Sequence, residues 1–125
     1  MKKYANKFPK AWEDLDRQLQ KEYEIRWAWK NKGSKYQYGD WHFRDGNMVF
    51  MPDNFLFGYL VFEYFPAHGI EIERLGLNRE VYYRVLKYKT TNLHEHQFEI
   101  YGDYDTPEEA ISKAFEIREK QLDGK

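Results

Sequence analysis

The sequence predicts an α+β fold of two layers, a mostly antiparallel sheet of about four or five strands with an N-terminal and a C-terminal amphipathic helix packed on it. Three observations carry that expectation. Apolar residues recur at helical spacing near both ends of the chain, alternating β-rich segments joined by short turns fill its middle, and the helices flank the strands instead of alternating with them. The 125 residues fit one domain over 1–125, with 1–8 and 123–125 expected to fray.

The first element is a helix from about Pro9 or Lys10 to Asn31. Trp12, Leu15, Leu19, Tyr23 and Trp27 fall every three or four residues along one stripe, while Glu13/Arg17 and Glu22/Arg26 are i,i+4 pairs on the wet side. Pro9 suits a helix start, and Asn31-Lys32-Gly33 supplies a cation and then a glycine for the C-terminal cap. Trp29 lies across the helix from Trp27 in this arrangement, so it is expected either in contact with another element or exposed as a self-association surface.

A hairpin follows. Tyr36 to Arg44 and Asn47 to Met51 flank Asp45-Gly46, a dipeptide suited to a two-residue type I′ turn. That register pairs Phe43 with Met48, His42 with Val49 and Trp41 with Phe50, and places Trp41, Phe43, Met48 and Phe50 on a shared core face. The segment 55–65 reads as a helix capped by Asp53-Asn54, with Ala67-His68-Gly69-Ile70 as its exit. A buried strand is the competing reading, because the run from Phe55 to Phe62 has no clean period.

Ile70, Ile72 and Arg74 alternate with Glu71 and Glu73, as in a strand with one wet face. Residues 80–89 form a long strand, and 94–101 another. The last helix has the sharpest boundary: Thr106 at the N-cap, Pro107 in the first turn and Glu109 completing a capping box, with Ala110, Ile111, Ala114, Ile117 and Leu122 forming the apolar face. The carboxylates of Asp103 and Asp105 precede it, where a helix N-terminus favours negative charge. Two strands followed by a T-P-E-E-A helix are similar to the endings of many small bacterial and phage proteins, and that resemblance implies an accessory or mobile-element role.

Composition excludes several function classes. Twenty Lys+Arg against 21 Asp+Glu, spread along the chain, leave no basic cluster for duplex DNA. Without cysteine there is neither a disulfide framework nor a thiolate metal site, and a cytoplasmic setting is expected. The longest apolar run is far shorter than a membrane span needs, and no cofactor motif of the Walker, GxGxxG, HExxH or GxSxG type is present.

The positive signal is aromatic: nine Phe, four Trp and 11 Tyr. On the strand over 80–89, Tyr82, Arg84, Leu86 and Tyr88 face one way and Val81, Tyr83 and Val85 the other. If helices cover a single face, the uncovered one presents Tyr82, Arg84 and Tyr88. Together with Trp29 these are the candidate binding residues, and a non-catalytic protein-interaction module acting on a protein partner or a second copy of itself is the leading expectation. The alternative is single-stranded nucleic acid stacked on the sheet tyrosines. A third is a metal-dependent enzyme at His94 and His96, whose parity on a strand aligns them with each other and with Phe98 and Ile100 where the core face meets a loop.

Overall fold

The computed structural model describes residues 2–28, 39–77, 80–88 and 98–124. The chain divides into two compact units, Met1–Leu56 and Phe57–Lys125. The α+β class is as expected, but among the described residues the strands form two three-stranded antiparallel sheets instead of one sheet of four or five.

In the first unit, helix α1 (Lys2–Lys7) precedes helix α2 (Pro9–Tyr23), and Pro9 occupies the first turn of α2 as the sequence implied. Residues 1–8 were expected to fray; instead Tyr4, Ala5 and Phe8 are buried, and α1 packs on α2. Glu13 and Arg17 pair at 3.7 Å on the wet side of α2.

The N-terminal helix is shorter than its hydrophobic stripe suggested. It stops at Tyr23, where Glu24 takes a left-handed conformation (φ 60°) and its N–H closes on the Gln20 carbonyl. Strand β1 (Ile25–Trp27) follows at once. A left-handed non-glycine residue is unfavourable, and two contacts offset it. The Glu24 carbonyl accepts from Arg44 N at 3.0 Å, and Asp16, buried on α2, accepts the Trp27 backbone N–H at 2.7 Å. Trp27 is therefore a strand residue, and the expected Glu22/Arg26 helix pair does not form. Glu22 accepts from Gln18, and Arg26 instead approaches Asp16.

Strand β1 pairs with β2 (Trp41–Phe43), and β2 with β3 (Met48–Val49). The hairpin register is one residue away from the expected one, with Trp41 opposite Val49 and His42 opposite Met48. A type I′ turn needs positive φ at both central residues, but only Gly46 (φ 97°) has it, not Asp45. Asp45 Oδ1 instead accepts the Asn47 N–H at 3.0 Å, and Gly46 N donates to the Phe43 carbonyl, giving a three-residue loop. The shift breaks up the predicted core face. Trp41 is buried, whereas Phe43, Met48 and Phe50 are exposed. Trp12, Trp27 and Trp41 form the aromatic centre of this unit, with ring centroids 5.0 to 5.9 Å apart.

Helix α3 (Asp53–Tyr59) crosses the boundary between the units and continues through a π-helical stretch (Leu60–Tyr64) into α4 (Phe65–Ala67). The helical reading of 55–65 is thus correct. The Phe65 N–H reaches back to the Leu60 carbonyl, widening the turn just before Pro66, which has no N–H to give and whose ring would crowd an α-helical carbonyl four residues earlier.

The second unit holds β4 (Ile70–Leu77), β5 (Glu80–Tyr88) and β6 (Phe98–Tyr104) in that order, with helix α5 (Pro107–Asp123) packed on all three. Thr106 Oγ1 accepts from Glu109 N at 3.2 Å and donates to Glu109 Oε1 at 3.0 Å, completing the expected capping box. Ala110, Ile111, Ala114 and Ile117 are buried, and Phe115 widens the face as a fully buried ring against Phe65 at 5.0 Å. Lys113 pairs with Glu116 at 2.7 Å. Asp103 does not cap the helix but belongs to β6.

Candidate functional site

The side of the second sheet that α5 covers is marked by Lys87 and Tyr101, which border a cavity together with Lys113, Ile117 and Gln121 of the helix. Alternation along β5 then turns Tyr82, Arg84, Leu86 and Tyr88 to the other side, where Leu86 is buried and the other three are half-buried. Antiparallel pairing brings their neighbours onto the same face. Leu75, Glu73 and Glu71 of β4 lie opposite Tyr82, Arg84 and Leu86, while Asp103, Ile100 and Phe98 of β6 lie opposite Arg84, Leu86 and Tyr88.

Asp103 reaches this face through a β-bulge. Val85 pairs with Gly102 and Leu86 with Ile100, leaving Tyr101 as the extra residue. Gly102 has φ 143°, and a Cβ there would lie 2.7 Å from the Tyr104 hydroxyl, which itself donates to the Tyr101 carbonyl. Without the extra residue Gly102 would oppose Arg84. With it, Arg84 meets Asp103 in a two-pronged ion pair, Nε to Oδ1 at 2.8 Å and Nη2 to Oδ2 at 3.2 Å.

The electrostatics of the face follow from these neighbours. The hydrogen bond from Arg84 holds the Asp103 carboxyl below the ordinary aspartate range, and the same bond raises the Arg84 guanidinium. Burial, then the charge of Glu71 and a hydrogen bond to it, push the Tyr88 phenol up. Arg84 also lies over the Tyr82 ring at 5.8 Å. Phe98 and Ile100, read from the sequence as flanking the core, are about half exposed here at 49% and 53%, and the Phe98 ring meets Tyr88 edge-on at 6.4 Å.

Of the residues singled out from the sequence, the structure brings Tyr82, Arg84 and Tyr88 together on this face. Trp29, His94 and His96 lie outside the described residues. Among the described residues no cluster of three or more metal-ligating side chains occurs, and no helix is long and apolar enough to cross a membrane.

A second feature had no sequence signal. In the first unit a groove of about 570 Å³ is bordered by Trp27, Asp40, Trp41, Met48, Phe50 and Asp53, with Lys3 at its rim. It depends on the hairpin register, which turns Met48 and Phe50 out of the core. Comparison of the chain with protein-family models, with curated proteins and with solved structures found no match.

Proposed function

We propose that the chain is a non-catalytic protein-interaction module whose docking surface is the part-exposed face of β4, β5 and β6 opposite α5. The observation that carries this reading is the half-exposed pair Phe98 and Ile100, with Phe98 set beside Tyr88 on the face opposite α5. Large apolar and aromatic side chains next to an arginine are the composition of interface hot spots.

Charge narrows the partner. Glu71, Glu73 and Asp103 outnumber Arg84, whose guanidinium is already engaged by Asp103. A nucleic-acid backbone would meet net negative charge, which opposes the single-strand alternative despite the tyrosines. Two copies of the face would likewise oppose their carboxylates. The complementary partner is a protein surface that is apolar at its centre and basic at its rim.

The test is site-specific photo-crosslinking in cells that make the protein, with benzoylphenylalanine in place of Phe98 or Ile100. A polypeptide adduct is expected at both positions, with none at Val81, which is exposed on the helix-covered side of β5. Absence of a protein adduct at positions 98 and 100, a nuclease-sensitive adduct there, or tight binding of a fluorescent oligothymidylate would refute the reading.

A further inference from the structure

The groove of the first unit is separate from that face and has features of its own. Met48, Val49, Phe50 and Met51 border it in succession. Trp41 of β2 and Trp27 of β1, aligned across the sheet with Val49, border it as well, so the groove runs from β3, an edge strand, across the end of the sheet. β3 is an edge strand with no further partner among the described residues.

Its chemistry is one-sided. Trp27 is 3% exposed, and its buried indole N–H meets no acceptor among the described residues. Asp40 and Asp53 bring two carboxylates to the groove, against the ammonium of Lys3. Met48 and Phe50 are 63% and 85% exposed, a large apolar area to leave in water on one short hairpin.

We propose that this groove binds an extended peptide segment of another protein, added along the edge of β3 and carrying an arginine or lysine between apolar residues. Its backbone pairs with the strand edge. The basic side chain meets Asp40 and Asp53, and the flanking apolar side chains cover Trp41, Met48 and Phe50. Strand addition supplies affinity through main-chain hydrogen bonds and selectivity through alternate side chains, and methionine lets the walls adapt to more than one apolar neighbour. The carboxylates set the sign of the partner.

The experiment pans two displayed libraries of random peptides against the intact chain, one with a fixed central arginine and one with a fixed central glutamate. Enrichment is expected only from the first. Synthetic copies of the selected peptides should shift tryptophan emission, because Trp27 and Trp41 line the groove. The D40N/D53N double variant, which keeps side-chain size, should bind them about tenfold more weakly. An I100S variant should bind them unchanged, which separates this site from the sheet face of the second unit. No enrichment, equal enrichment of the two libraries, or undiminished binding by a folded D40N/D53N variant would overturn the proposal.

Discussion

The Asp16 carboxyl is the fastening between α2 and β1, and replacing it with alanine should loosen the first unit. Asp16 is 2% exposed, and its Oδ1 accepts the Trp27 backbone N–H at 2.7 Å. Alanine leaves that buried N–H without its acceptor, a loss of about 2–3 kcal/mol for a hydrogen bond to a charged group. The Arg26 contact adds little. It spans 3.9 Å to a side chain 42% exposed, where ion pairs contribute roughly 0.5 kcal/mol or less. With a urea slope of about 2 kcal/mol per M for a small domain, D16A should lower the unfolding midpoint by roughly 1–1.5 M. Tryptophan emission is the appropriate signal, since Trp12, Trp27, Trp29 and Trp41 all fall within the first unit. D16N retains an oxygen acceptor and should lose less than half as much. A D16A midpoint within about 0.3 M of the parent, or a D16N loss as large as that of D16A, would refute the role assigned to this side chain.

Three further perturbations address the second unit. F115A removes a fully buried ring that packs on Phe65 and Tyr64, and should cost about 3–5 kcal/mol in denaturant unfolding followed by circular dichroism. T106A deletes the N-cap of α5 and should cost about 1 kcal/mol by the same measurement, with serine at this position restoring most of it. The Asp103 carboxyl, held down by its hydrogen bond from Arg84, should titrate below its ordinary value of 3.8 in carboxyl-detected NMR. Because the folded value is the lower one, the pair stabilises the fold above the ordinary aspartate range, and this contribution disappears as pH falls through the depressed value. In R84Q the titration should return toward the ordinary value; an Asp103 titration that ignores Arg84 would show the ion pair to be absent in solution.

What could be read from the sequence was what local chemistry decides. The cap, first-turn proline and alanine-lined face of α5 lie within a few residues of one another, so no long-range information was needed to place that helix. The end of the N-terminal helix was different. The apolar spacing from Trp12 to Trp27 runs unbroken through the place where the chain leaves the helix, and the stop is written in no glycine or proline. It comes from Glu24 accepting a left-handed conformation that pairing of β1 with β2 and the Asp16 bond make tolerable. A sequence window contains neither partner.

Both candidate surfaces depend on one-residue choices of the same kind. Strand alternation alone correctly groups Tyr82, Arg84 and Tyr88, but it cannot place Asp103 beside them, because the parity of β6 changes at Tyr101. The glycine at 102 was the available signal, since its φ of 143° is one that residues with a Cβ rarely adopt. In the hairpin, Asp45-Gly46 permits either a two-residue or a three-residue loop, and a slip of one residue exchanges the faces of every side chain that follows. Asp45 decides it by turning its carboxylate to the Asn47 N–H, which leaves Gly46 as the only residue of the loop with positive φ. Met48 and Phe50, which the other loop would have buried, thereby become the walls of an open groove. A core that loses two large apolar side chains to solvent is less favourable unless something covers them, and that residual cost is why the groove, as well as the aromatic sheet face, is read as a place where another chain binds.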